Sequence, residues 1–311
     1  MRTPPTSQRS AQPSATTPPT LQEDPVIRTH RPRALTAVVL AVTAVLPLSA
    51  CGGSAGAAPA NTRPADLQLV QDGVLTVGID ATYPPMEYRE GGQLEGVNAE
   101  LLTDLAKRLG LKAEFEDVAF ADLRPAAAAH TIDVVGSSMT DKADRQADVD
   151  FVDYFVAGAQ VLVASDGPDL TSPSSWCGRR GASTGGTTDG DIILAQSQLC
   201  ARAGQPPVTF VDVPYTKSVD EVLAGRADFG VEDLPAAVYL AANSGGKIKV
   251  LGDQLQPQPY GYGFAKDRTA LRDALQRALQ DAIADGTYDR ILKKYDVAGG
   301  ALKSTSINGG A

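Results

Sequence analysis

The stretch GVLTVGIDATYPPMEYREGGQLEGVNAELLTDLAKRLGLKAEFEDV, residues 73–118, decides the fold class. Val74 to Ile79 is an apolar run of strand length. Asn98 opens a helix with Leu101, Leu102, Leu105 and Leu109 on one face, and Gly110 stops it. Residues 113–118 alternate as a second strand. Strand, helix and strand in that order make a parallel unit, because the crossover returns the chain to the same end of the sheet. The alternation continues outward. An Ala-rich helix is predicted over 122–129, a buried strand at Asp133-Val134-Val135-Gly136, and a polar loop over 137–144. A second set starts with a strand at 160–164, with further strands near Gly181, 208–213, 229–231 and 248–251. Its helices are predicted over 189–203, 218–224 and 235–243. A strand at 260–265 precedes a long amphipathic helix from Asp267, apolar at Leu271, Leu275, Leu279 and Ile283. Gly286 breaks that helix, and Tyr288, Ile291, Leu292 and Tyr295 continue its apolar face. Two sets of about 100 residues each predict an α/β fold in two lobes. In such sheets ligands bind outside the carboxyl ends of strands. Residues 80–83, 137–145, 185–189 and 232–233 are therefore the candidate site.

Composition bounds the function. Of 311 residues, 43% are hydrophobic and 21% charged, enough for packed cores. Lys+Arg 28 against Asp+Glu 37 gives a net charge of −9, which argues against nucleic acid as a partner. Only His30 and His130 are present, so a His-rich metal site is excluded and His-based nucleophilic catalysis has little to work with. No metal and no cofactor are expected. Residues 1–33 are rich in Pro, Thr, Ser and Arg and read as a disordered leader. Residues 34–48 form one apolar run after Arg28, Arg31 and Arg33. It is short for a membrane span of about twenty residues, so residues 1–50 read as a leader ending in a secretory signal peptide. Leu48-Ser49-Ala50-Cys51 resembles a bacterial lipobox, whose cysteine is lipidated and becomes the first mature residue. The competing readings are a chance cysteine after an ordinary signal, or an uncleaved anchor. Residues 51–65 then read as a flexible tether. Removing residues 1–50 takes away five arginines and two acids, leaving 23 basic and 35 acidic residues, a net charge of −12. Cys177 and Cys200 remain as an even pair in an exported chain, which favours a disulfide over two free buried thiols.

Along residues 72–298 the chain resembles the polar-amino-acid-binding branch of the bacterial extracellular solute-binding proteins, family 3, the receptors of ABC importers. The matching pieces are residues 73–80, Tyr83-Pro84-Pro85-Met86-Glu87-Tyr88, residues 96–102, Ile132-Asp133-Val134-Val135-Gly136, and Met139-Thr140-Asp141 with Arg145. Residues 150–155, Gly186-Thr187-Thr188, residues 225–228, residues 260–264, residues 285–288 and Lys293-Lys294-Tyr295 complete it in order. The resemblance implies two α/β lobes joined by two crossing strands near 157–160 and 257–261. Lobe 1 would be 66–157 plus 260–298, lobe 2 would be 158–259, and 299–311 a polar tail.

The resemblance also implies roles. Arg145 matches a carboxylate-binding arginine, and a guanidinium fork suits that anion; the competing role is surface pairing with Asp144 or Asp148. Thr188, just before a helix, would add exposed N–H groups to the anion site, or Thr188 or Asp189 would simply cap the helix. Asp233 matches an ammonium-binding aspartate, with N-capping as the alternative. Ser138 and Thr140 match loop positions that touch both main-chain groups, and Lys142 departs from the small residue common there. Tyr83 matches an aromatic that stacks on the ligand side chain, or is plain packing. Asp80 matches a position at the side-chain end of the pocket, where an acid favours cationic or amide side chains, or it only caps its loop. Met86 stands where Phe is common and would alter the pocket wall.

The expected protein is an extracytoplasmic, lipid-anchored, monomeric receptor that passes a polar amino acid to an ABC transporter permease, touching the membrane only through its lipid. A cyclohexadienyl-dehydratase-like enzyme and a sensory lipoprotein are alternatives on the same fold. The enzyme would need a general acid in the cleft, for which Glu232 is the candidate.

Overall fold

The structure, a computed structural model, describes residues 66–310. The expected signal peptide, the tether and Cys51 lie outside the described residues. Among the described residues no helix is long and apolar enough to cross a membrane.

The quoted stretch folds as a parallel unit. β1 (Val74–Ile79) leads through a small antiparallel sheet of β2 (Thr82–Tyr83), β3 (Glu87–Glu90) and β4 (Gln93–Glu95) into α1 (Val97–Arg108). β5 (Lys112–Asp117) then pairs parallel with β1, and β6 (Val134–Val135), reached through α2 (Leu123–Ala128), pairs parallel on the other side. α1 buries Leu101, Leu102 and Leu105, as their spacing predicts. The three-stranded sheet was not predicted, because its strands are too short to show a period.

After α3 (Ala143–Gln146) comes β7 (Val149–Ala164), sixteen residues buried almost throughout. The second set follows: β8 (Arg180–Ser183), α4 (Thr188–Arg202), β9 (Thr209–Asp212), α5 (Ser218–Leu223), β10 (Phe229–Asp233) and α6 (Leu234–Asn243). β11 (Ile248–Ala265) returns antiparallel to β7 along its whole length. α7 (Thr269–Ala284) and α8 (Thr287–Lys294) pack back on the first half.

Hydrogen bonds join all of this into one eight-stranded mixed sheet, ordered β5-β1-β6-β11-β7-β10-β8-β9. β7 and β11 are its central pair, so the sheets of the two lobes meet through the two crossing strands. Separate cores lie on either side. Leu75, Val77, Leu101, Tyr262 and Leu275 belong to the first half, and Trp176, Ile193, Phe229 and Val231 to the second. Sequence reading found 160–164, 248–251 and 260–265 as separate pieces because β7 is covered on both faces and has no polar alternation to mark its length.

Between the halves the ladder is irregular. The β7–β11 register shifts between Leu251 and Leu255, between Leu255 and Gln258, and between Tyr260 and Gly261. Gly158 lies against that bulge, where a Cβ would stand 2.7 Å from the Leu255 carbonyl oxygen. Bulges bend strands locally and break the regular ladder, and these lie between the two cores.

Cys177 and Cys200 are joined by a disulfide that fastens the segment before β8 to α4. The segment expected as a polar tail is docked. Ala301 and Ile307 form bridges to Phe155 and Val152 of β7.

Candidate ligand-binding site

The carboxyl ends of β1, β5, β8, β9 and β10 converge with the loop before α3 on a cleft between the halves. Two cavities share it. One, of about 450 Å³, is lined by Asp80, Phe120, Arg145, Gly186 and Tyr215 among others. The other, of about 240 Å³, is lined by Thr140, Lys142, Thr188, Asp189, Asp191 and Asp233 and by Ala157 and Gln258 of the crossing strands. Between them the halves touch. Thr140 Oγ1 lies 3.4 Å from Thr188 Oγ1, and Arg145 Nη2 donates to the Gly186 carbonyl at 3.4 Å.

Arg145 sits in α3 and is only 3% exposed. Nη1 donates to the Thr140 carbonyl at 3.0 Å, and the guanidinium lies 5.5 Å from the Phe120 ring centre. Among the described residues no carboxylate pairs with it. Asp148 is held by Arg124 at 2.5 Å and Asp144 lies 3.6 Å from Lys142. Burial pulls the guanidinium below the ordinary arginine range, since its charge is poorly solvated.

The opposite charge collects on the other half. Asp233 occupies the N-cap position of α6 but makes no side-chain cap bond. Its Oδ2 instead accepts from the Tyr260 hydroxyl at 2.5 Å. Asp189, in the first turn of α4, is 3% exposed, and its Oδ1 has no hydrogen-bond partner. Burial, then the charge of Asp233, push Asp189 well above the ordinary carboxylate range. Burial raises Asp233 too, against the hydrogen bond from Tyr260 that lowers it. Thr187, not Thr188, caps α4, accepting from the Gly190 N–H at 3.1 Å. That leaves the Thr188 hydroxyl facing Thr140.

Asp80 carries out its capping alternative in full. Oδ1 accepts from Thr82 Oγ1 at 2.7 Å and Oδ2 from the Phe120 N–H at 2.9 Å. It also lines the larger cavity. Tyr83 is buried edge-on against Tyr215 with ring centres 5.2 Å apart. Burial, then the charge of Asp233, hold its hydroxyl well above the ordinary tyrosine range. Ser138 faces inward: its N–H donates to Glu87 Oε1 at 2.9 Å and its hydroxyl to Glu87 Oε2 at 3.0 Å. Ser138 lines neither cavity. Met86 is fully buried in the first-half core and lines neither cavity, contrary to the expectation for the pocket wall. Lys142 reaches across the cleft to Asp191 Oδ2 at 3.0 Å.

Sequence reading missed Phe120, Tyr215, Asp189 and Glu87. Phe120 and Tyr215 stack edge-on at 5.3 Å and so extend the aromatic wall from Tyr83. Both follow strands, β5 and β9, so the rule used for the other strand ends would have found them had it been applied to every strand. Asp189 was absorbed into a capping role. Glu87 stood inside a matching motif without a function. It accepts also from Asn98 Nδ2 at 2.6 Å, and Asn98 Oδ1 accepts from the Tyr262 hydroxyl on β11 at 3.0 Å. A buried network thus ties the Ser138 loop to α1 and a crossing strand. Burial pushes Glu87 up to about 8. The protonated acid is favoured by the fold, so its contribution to stability is present in acid and is lost as pH rises through about 8. Glu87→Ala should lower stability by about 2–4 kcal/mol, because it strands buried donors. Glu87→Gln should flatten the fall in melting temperature between pH 6 and pH 9, and an unchanged slope would remove Glu87 as its source.

The description "Bacterial extracellular solute-binding proteins, family 3" matches residues 75–298. The arginine-binding protein ArgT of Corynebacterium glutamicum is 31% identical over 243 residues, spanning 77% of this chain and 80% of that protein. The L-cystine-binding protein TcyA of Bacillus subtilis is 29% identical over 270 residues, spanning 85% of this chain and 97% of that protein. Among solved structures, an ancestral arginine-binding protein bound to arginine superposes with a TM-score of 0.65 at 30% identity, covering 72% of this chain and 98% of that one. With a family match over more than half its length and a two-lobed sheet crossed by two long strands, the chain belongs to the bacterial extracellular solute-binding proteins, family 3.

Proposed function

We propose that the chain holds a polar α-amino acid between its two lobes and passes it to the permease of an ABC importer. One observation carries the reading. A buried guanidinium, without a carboxylate partner among the described residues, and a buried pair of carboxyls face the same cleft. A zwitterionic amino acid supplies both missing charges at the right sign. Its carboxylate would be held by Arg145, the Thr188 hydroxyl and the N-terminus of α4. Its ammonium would be held by Asp233, with Asp189 behind it and the Ser138 and Thr140 loop beside it. Its side chain would lie along Tyr215 and Phe120, with Tyr83 packed edge-on behind Tyr215, toward Asp80.

Of the charged groups lining that space, Arg145 is assigned to the ligand carboxylate and Arg124 is paired with Asp148, so Asp80 is left to favour cationic or amide side chains over acidic ones. The similarity to an arginine-binding protein supports this class. Lobe 1, from 66–157 and 260–298, closes on lobe 2, 158–259, by bending at the irregular ladder. Glu232, the candidate general acid, is pushed up to about 7 by burial, is held by the Ser218 hydroxyl at 2.6 Å and lines neither cavity, which supports binding over catalysis by that residue.

A thermal-shift screen across the amino acids tests the reading. A ligand at one hundred times its dissociation constant stabilises by about 2.7 kcal/mol, and a screen without any stabilising amino acid counts against it. The lipid anchor at Cys51 is a further part of the proposal. Cys51→Ala should move the protein from the membrane fraction to the soluble one with ligand binding intact, and a variant that still pellets would point to an uncleaved apolar anchor.

A further inference from the structure

The segment after the family match ends is tied to the loop that carries the candidate ligand contacts. Thr305 Oγ1 donates to the Asp153 carbonyl at 2.8 Å, and the Ser306 hydroxyl and Gly309 N–H donate to Asp153 Oδ2 at 2.6 and 3.0 Å. Asn308 Oδ1 accepts from the Phe151 N–H at 2.8 Å, and its Nδ2 donates to Asp150 at 3.0 Å. The segment then leaves β7 for the binding loop. The Gly310 N–H donates to Asp141 Oδ2 at 2.8 Å, and the Gly310 carbonyl accepts from Gln146 Nε2 at 3.2 Å. Gln146 Nε2 in turn donates to Asp141 Oδ1 at 2.7 Å. Asp141 follows Thr140 and Gln146 follows Arg145, so the segment grips both ends of the stretch whose side chains and carbonyl line the cleft.

Asp141 and Asp153 are buried, at 0% and 1% exposure. Burial and the neighbouring Asp141 carboxyl push Asp153 up to about 6, while the Ser306 and Gly309 donors work the other way. Without the segment, two buried carboxyls lose their backbone and hydroxyl donors, and a buried acid stripped of donors draws in water or shifts the chain around it. The Asp141 N–H is also bonded to the Pro259 carbonyl of β11 at 2.8 Å, so the same loop residue is held by the tail on one side and by a crossing strand on the other.

We propose that Thr305–Gly310 belongs to the binding apparatus as a brace: it fixes the loop of Thr140 and Arg145 in its binding geometry, so affinity depends on a segment that does not itself line the cleft. The proposal rests on the reading of Arg145 and Thr140 as ligand contacts.

Three full preparations test it: the unaltered chain, a chain ending at Lys303, and the double variant Ser306→Ala with Asn308→Ala, which cuts side-chain ties outside the cleft. Hydrogen exchange is followed at residues 139–146, with β8 and β10 as internal controls, and L-arginine is titrated by calorimetry. In both variants exchange of the Asp141 and Arg145 amides should rise about tenfold or more with the controls unmoved, and L-arginine affinity should fall at least about tenfold. Unchanged affinity in the variants overturns the brace. If the controls of the shortened chain also exchange, that chain has lost its fold and the double variant decides by the same two readings. If the unaltered chain takes no L-arginine, that failure belongs to the ligand reading, and exchange in the loop alone decides: unaltered protection there overturns the brace, and lost protection supports it.

Discussion

Arg145→Ala is expected to abolish tight binding of every amino-acid ligand, because all of them share the carboxylate. The guanidinium is buried, is set by the Thr140 and Gly186 carbonyls, and among the described residues has no carboxylate to satisfy it. Removing one partner of a buried, hydrogen-bonded charge pair costs about 2–5 kcal/mol, roughly thirtyfold to several thousandfold in affinity. The fold should tolerate the change, since the lone buried charge is a cost to the ligand-free chain. Calorimetric titration with the best ligand of the thermal screen checks both halves. An unchanged dissociation constant would mean that the carboxylate is bound elsewhere.

Asp233→Asn should cost a similar amount for any ligand with a free ammonium group, and here pH gives a second reading. Asp189 and Asp233 both titrate above the ordinary carboxylate range in the fold. The protonated pair is therefore favoured in the ligand-free chain, and the stability it gives is present in acid and lost as pH rises through the raised titration. A bound ammonium stabilises the charged form and pushes protons off. Affinity should accordingly rise with pH over that window, while the stability contributed by this pair to the ligand-free chain falls. Binding should release protons, detectable as a heat that changes with the ionisation enthalpy of the buffer. Asp189→Asn should reduce the proton release while keeping most of the affinity, because Asp233 then ionises without a charged neighbour. Affinity that is flat or falls with pH would contradict the acid pair as the ammonium site.

Much of the fold was legible because helices and parallel strands alternate with clear periods. The α1 face of leucines and its Gly110 stop read directly. What did not read were the features without a local period. β7 is buried on nearly every residue, so a sixteen-residue strand looked like a short one. The β2–β4 sheet is made of strands two to four residues long. The docking of 301–310 depends on acids more than a hundred residues away in sequence.

The site was legible to the same degree. Resemblance pointed to Arg145, Thr188 and Asp233, and the fold brings all three to one cleft. It could not say which alternative each side chain would follow. Asp80 spends both oxygens on Thr82 and Phe120, and Ser138 turns both donors toward Glu87. Those choices are made by neighbours from other elements. The aromatic wall of Phe120 and Tyr215 was missed for a different reason: both stand at strand ends that carried no matching motif.

We infer that the cleft selects an amino acid with a cationic or amide side chain. Calorimetric titration of L-arginine, L-glutamine and L-glutamate into the full chain, at one pH and one salt concentration, tests it most directly. Arginine and glutamine should bind more tightly than glutamate, and Asp80→Asn should narrow the gap by weakening arginine most. Tightest binding by glutamate would contradict the account.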